Sequence, residues 1–221
     1  MPLEAFAQTV ITVSPEFVGG LACTITPPIT FSNQSISAMA GVEGSIRGLI
    51  GDSDLALNLG GGYESRGYDG NGYMPQSTIR DPNIIRENYI DMDASFRYKC
   101  FQFGAVIGFP LNWHLTRTNV DPGPMEWYFD NADMNTTVGI FFAGKFTVSE
   151  WSSGKLIFIS RLDFESFVTP IPNTPTHSGV LLTYNESNGP PYGYTYMPDL
   201  GPIFIARVGL SYEFTVWGGA R

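Results

Sequence analysis

The chain has 221 residues and a formal charge of −9; 15% of it is charged and 14% aromatic, with 25 glycines and 16 prolines. This composition excludes a coiled coil and argues against a disordered polymer, and the acidic balance lacks the basic footprint of a nucleic-acid binder. No apolar run approaches the roughly 18 residues of a transmembrane helix, which leaves an all-β chain rich in turns.

Eight segments alternate apolar and polar residues, the period of a strand with two unlike faces. The first, residues 9–25, sets Val13, Phe17, Leu21 and Cys23 against Ser14, Glu16 and Gly20. Residues 35–50 set Ile36, Val42 and Ile46 against Ser37, Glu43 and Arg47, and residues 54–68 set Leu57, Leu59 and Tyr63 against Asn58, Glu64 and Arg66. Residues 88–99 set Ile90, Met92 and Phe96 against Asp91, Asp93, Arg97 and Lys99. In residues 101–115, Phe101, Phe103, Phe109 and Trp113 oppose Gln102, Gly104, Gly108, Asn112 and His114. Residues 136–148 set Ile140, Phe142 and Phe146 against Gly139 and Lys145; residues 155–168 set Phe158, Leu162 and Phe164 against Lys155, Arg161, Asp163 and Glu165. The last, "ARVGLSYEF", sets Val208, Leu210, Tyr212 and Phe214 against Arg207 and Glu213.

Short and long links alternate between these segments. The short ones are "GDSD", the turn around Cys100 and "WSSG"; the long ones are residues 26–34, 69–86, 117–134 and 170–200. All long loops therefore lie at one end and both termini at the other, the arrangement of bacterial outer-membrane barrels. Each segment reaches the roughly 9–11 residues that a tilted membrane strand needs.

Alternation alone also fits a soluble lipocalin-like barrel with its apolar face inward. Three features favour the inverse. The polar face is rich in Gly and Ala, and an eight-stranded barrel has an interior only wide enough for side chains. It also carries eight acids and eight bases, leaving 13 of the 21 acids and 4 of the 12 bases for loops, turns and termini; buried charges require such pairing. Aromatics cluster toward strand ends, as in the girdles at membrane interfaces. The expected fold is a closed, eight-stranded, antiparallel up-and-down transmembrane β-barrel over residues 8–216. Residues 217–221 are expected as a short periplasmic tail. Ala5-Phe6-Ala7 before Gln8 has the A-x-A form of a signal-peptidase site, so residues 1–7 read as a signal-peptide remnant.

The stretches "LGGGYESRGYDGNGY", "ENYIDMDASFRYKCFQFGAVIGFPL" and "GLSYEF" resemble the PorT-like outer-membrane barrel domains of Gram-negative bacteria. That resemblance implies an outer-membrane location with long loops extracellular and both termini periplasmic. It implies lipid and lipopolysaccharide as surroundings. The alternating Val208, Leu210, Tyr212 and Phe214 are similar to the terminal signal read by the barrel-insertion machinery. Two departures stand out: "TVWGGAR" follows Phe214, and "DMDASF" replaces a Pro-Leu-rich strand. The first leaves a tail that could contact an envelope partner.

Site chemistry is sparse. The lumen charge set is Glu16, Glu43, Arg47, Glu64, Arg66, Asp91, Asp93, Arg97, Lys145, Arg161, Asp163, Glu165, Arg207 and Glu213. It is expected as a salt-bridge core in place of a metal or acid–base site. His114, read as inward near Arg117 and Asp121, is the one residue for a rim enzyme acting on lipid, yet no G-x-S-x-G motif accompanies it. No catalytic residue, metal or cofactor is expected. Two cysteines are too few for a disulfide scaffold, and spacing cannot decide whether Cys23 and Cys100 pair. In the long loops, Trp127, Tyr128 and Phe129, with Tyr192, Tyr194 and Tyr196, form a candidate binding surface. The expected role is structural or loop-mediated binding in the envelope, alone or within a larger assembly. A narrow passive pore, the rim enzyme and a soluble binding barrel are the alternatives.

Overall fold

The computed structural model describes residues 9–26, 30–48, 54–71, 82–117, 125–130, 136–168 and 202–218. They form nine strands: β1 (Val10–Thr26), β2 (Thr30–Arg47), β3 (Leu55–Asn71), β4 (Pro82–Tyr98), β5 (Phe101–Arg117), β6 (Met125–Asp130), β7 (Thr136–Trp151), β8 (Gly154–Val168) and β9 (Ile203–Gly218). Every pairing is antiparallel. The sheet runs from β4 through β3, β2, β1, β9, β8 and β7 to β5, and a β4–β5 pairing closes it. Last strand meets first where β9 pairs with β1. The closed, eight-stranded antiparallel barrel is thus the observed architecture.

The additional strand, β6, lies within the link 117–134, expected as a loop. Pairing with β4 occupies one edge of β5 from Phe101 to Arg117. On the other edge, β7 covers Phe101–Gly108 and β6 covers Asn112–Arg117. One barrel position is therefore filled by two strands in succession.

Cross-strand partners fix the stagger. Starting at Ser14 and passing through Glu43, Gly60, Asp93, Val106, Gly139, Glu165 and Ile203, the path returns to β1 at Thr24, ten residues along. An even stagger brings inward residues back to inward positions, so one parity stays inside around the whole circumference.

That inner parity is polar. Ser37, Glu64, Arg66, Asp91, Asp163 and Arg207 are all buried, joined by a few apolar residues such as Phe141, Ile159 and Ile205. The outer parity is bulky and bare: Phe17, Leu59, Phe101 and Val148 are each 60–71% exposed. At the short-turn end, Tyr98, Phe101, Trp151, Phe214 and Trp217 face outward and exposed. Tyr212 lies between two of these rings, 4.6 Å from Phe214 and 6.0 Å from Trp151.

Single-residue bulges break the alternation in places and, together with the β4–β5 turn, correct three expectations. On β5 the register skips Leu111, so Asn88 pairs with Asn112 while Tyr89 pairs with Pro110. Proline has no N–H to give a ladder, and bulges tolerate it. Beyond the skip the faces exchange. His114 pairs with exposed Arg86, whereas inward Glu87 pairs with Trp113, so His114 lies on the outer parity and not the lumen one. A second skip, at Val216, pairs Ile11 with Trp217 and returns Trp217 to the outer wall. β9 therefore continues to Gly218, past the boundary expected at residue 216. Finally, Lys99 sits in the β4–β5 turn with φ 55°, exposed and outside the barrel interior.

Cys23 and Cys100 are both free. Cys23 pairs with Phe204 near the long-loop end, and Cys100 sits in a short turn at the other. Among the described residues no helix is long and apolar enough to cross a membrane, which says nothing of a β-barrel.

Candidate functional site

The lumen charges meet across the barrel. Arg66 on β3 is fully buried and donates to Glu165 on β8 at 2.7 Å. It also holds Glu64 at 2.8 Å, stands 4.0 Å from Asp91 and lies 4.7 Å above the Tyr89 ring. Glu64 accepts in turn from Arg207 on β9, whose other nitrogen reaches Asp163 at 3.3 Å. Asp163 is 2.7 Å from Arg161, which ends on Asp93 at 3.1 Å. The order is thus Glu165, Arg66, Glu64, Arg207, Asp163, Arg161, Asp93: one uninterrupted alternation of four acids and three arginines. Each guanidinium lies between two carboxylates, a use for which its planar fork of five donors is suited.

Neutral groups fill remaining valences. Ser37 donates to Glu64 at 3.0 Å and accepts from Arg207 at 3.1 Å. The Arg161 guanidinium stacks 3.9 Å over Phe141, a desolvated cation–π contact. Burial of this many charges is tolerable because nearly every one faces an opposite charge or a donor.

Nearer the short turns lie two smaller groups. Lys145 on β7 joins Glu16 on β1 and Glu43 on β2, the latter at 2.8 Å. Glu43 also accepts from Gln102 at 2.7 Å. At the mouth, Glu213 on β9 is shared by Arg47 at 2.8 Å and Arg97 at 3.0 Å. Local charge thus changes sign along the barrel. With Asp91 beside Arg66 the large cluster holds five acids to three arginines and the Lys145 group two acids to one base, whereas the Glu213 group holds one base more than acids.

Thirteen of the fourteen residues of the sequence-derived charge set make up these three groups and Asp91 stands beside the first, 4.0 Å from Arg66, but the count of eight acids and eight bases does not hold. Lys99 is in a turn, and Lys155 is half-exposed beside exposed Glu150 at 3.1 Å. Glu87 was missed: it is 2% exposed and accepts from Tyr89 at 3.1 Å. The signal was present, because Glu87 shares the parity of Asp91 and β4 begins at Pro82, six residues before the expected start.

Of the candidate loop surface, Trp127, Tyr128 and Phe129 lie on β6, opposite Leu115, His114 and Trp113. Tyr192, Tyr194 and Tyr196 lie outside the described residues. Val208, Leu210 and Phe214 are outward and 42–55% exposed, with Tyr212 half-buried between rings. Among the described residues no cluster of histidine, cysteine or carboxylate side chains is arranged to hold a metal.

No family model matches the sequence, and no curated protein matches it either. Among solved structures the chain is similar to Ail, the attachment invasion locus protein of Yersinia pestis, solved in complex with the heparin analogue sucrose octasulfate. The likeness covers 94% of this chain and 99% of that one at 7% identity, with a TM-score of 0.39. A likeness that distant carries no argument about ligand or role.

Proposed function

We propose that this chain is an integral outer-membrane β-barrel whose lumen is plugged by ion pairs and whose role is structural or loop-mediated binding in the cell envelope. One observation carries the reading: the barrel is inside out. Its wall bares Phe17, Leu59 and Phe101 to the surroundings while Arg66, Glu64 and Arg207 are wholly enclosed. In water such a wall would be an apolar patch running around the whole molecule, far beyond what soluble monomers expose. In lipid it is the favourable surface, and closure pairs the edges of the eight barrel strands with one another.

Dimensions support the same reading. Tyr63 stands eight residues up β3 from Leu55, the cross-strand partner of Tyr98. At a rise of about 3.3 Å per residue and a tilt of about 40°, that is about 20 Å between aromatic levels, close to the ~25 Å band of such barrels. The long loops face outside the cell in this reading and the termini face the periplasm. Val208, Leu210, Tyr212 and Phe214 present the insertion machinery with outward residues at every second position. Trp127, Tyr128 and Phe129, with Tyr192, Tyr194 and Tyr196, are the surface offered to an envelope partner. The PorT-like resemblance belongs to this proposal as well.

The alternatives lose specific supports. A lipocalin-like barrel needs the opposite face inward, a rim enzyme needs an inward His114, and a pore needs a lumen without crossing ion pairs. The deciding experiment is membrane fractionation combined with gel mobility before and after boiling. The proposal expects recovery in the outer-membrane fraction and a heat-dependent mobility shift. Soluble protein without a shift would overturn it.

A further inference from the structure

At the short-turn mouth of the barrel lies a cavity of about 130 Å³ whose charged lining is mostly basic. Arg47, Arg97, Lys99, Lys145 and Lys155 line it, against only Asp54 and Glu213. The nearby acids fall one short of the rim cations Arg47, Arg97, Lys99 and Lys155, since the single Glu213 carboxylate serves both Arg47 and Arg97, exposed Glu150 stands 3.1 Å from Lys155, and Asp54 is the one acid left. Lys145 is turned toward Glu16 and Glu43 deeper in the lumen, so the residual positive charge lies at the rim.

From this we infer that the mouth is a binding site for a phosphate-class oxyanion. The volume equals about four waters' share of the liquid, enough for one tetrahedral anion of five heavy atoms. Guanidinium and ammonium side chains from three strands, β2, β4 and β8, with Lys99 from a turn, surround its rim, and charge-assisted donors of this kind are the strong ones. The inward side chains of Arg97, Lys145, Ile157 and Glu213 form its inner wall. The site therefore lies on the lumen side of the wall and takes its anion from the aqueous phase at that mouth. The anion is either a solute phosphate, free or polymer-linked, or a lipid headgroup bent in at the rim. The inference holds whichever way the barrel faces.

The test is a titration of the full chain, refolded in nonionic detergent, with inorganic phosphate at constant ionic strength against chloride. The readout is the temperature at which heat-modifiable mobility is lost. Saturable stabilisation by phosphate is expected. Lys99→Gln with Lys155→Gln removes two rim charges that are exposed or half-exposed, so the barrel persists, and it should weaken the phosphate midpoint by about tenfold or more. Equal effects of phosphate and chloride, or an unchanged midpoint in the double variant, would overturn the site. Repeating the titration in phosphatidylglycerol vesicles identifies the source. Loss of the phosphate response there supports the site with a headgroup as occupant, and its persistence supports the site with a solute anion.

Discussion

Arg66 and Glu165 meet at 2.7 Å across the lumen although they belong to β3 and β8, strands that do not pair. Both side chains are at most 1% exposed. Arg66 also holds Glu64, so the contact joins two walls of the barrel through one guanidinium.

Removing one partner leaves a buried charge without its counterpart, at a cost of about 3–5 kcal/mol. Arg66→Met should therefore lower the urea midpoint of unfolding sharply, and Glu165→Gln should do so less, because an amide still accepts from Arg66. Arg66→Met with Glu165→Met should recover much of the loss, since an apolar pair needs no compensation. Urea titration monitored by gel mobility reads all three. A double variant that loses as much as the Arg66→Met and Glu165→Gln losses added together would show that the pair is not coupled.

The seam between first and last strands depends on glycine at two positions. A Cβ on Gly20 would fall 1.8 Å from the Ala206 carbonyl oxygen, and one on Gly209 would fall 2.0 Å from that of Phe17. These neighbours are backbone and cannot turn aside. Gly20→Val or Gly209→Val should therefore prevent closure, with loss of the heat-modifiable form. Gly19→Val, one residue along, is the control: its Cβ approaches nothing nearer than 3.7 Å, so refolding yield should match wild type.

The barrel itself was legible because period-two alternation survives in any sequence that keeps one face apolar and outward and the other polar and enclosed. Link lengths then fixed the up-and-down order. What alternation could not reveal is where it skips. Leu111 and Val216 each add one residue to one strand only, and every residue beyond such a skip changes face. Unbroken alternation therefore turns His114 into the lumen, whereas the skip at Leu111 puts it on the outer parity. Pro110 beside the first skip was the available hint. Ion-pair partners were less legible still. Glu165 reaches Arg66 through the ten-residue stagger, which no single strand encodes. Sequence could name the charged residues but not their order in the chain from Glu165 to Asp93.

The proposed plug is testable by conductance. Arg66 and Arg207 are the largest fully buried side chains, and both span the interior to carboxylates on other strands. Wild-type protein in a planar bilayer should show no discrete conductance steps. Arg66→Ala with Arg207→Ala should open an aqueous path and produce them, provided gel mobility confirms that the barrel is retained. Steady conductance in the wild type would contradict a plugged interior.

The outer wall permits a graded test of the membrane reading, because a charge placed on it is penalised according to depth. Met92 is outward and 54% exposed, six residues up β4 from the girdle residue Tyr98. At about 3.3 Å per residue and about 40° of tilt, that is about 15 Å above the girdle, near the middle of a ~25 Å apolar band. Phe101 is outward and 70% exposed, but it pairs with Tyr98 and so sits at the girdle level, the interface in the membrane reading. In lipid, Met92→Arg should cost about 2–4 kcal/mol and Phe101→Arg about 0–1 kcal/mol. In water the two should be alike and near zero, since surface substitutions away from packed features change stability little. Comparing both variants in urea, in liposomes and again in detergent micelles, reads the difference. A gap present in liposomes and reduced in micelles follows from a bilayer-spanning wall. Two indistinguishable variants in liposomes would mean that this wall does not face a hydrocarbon core.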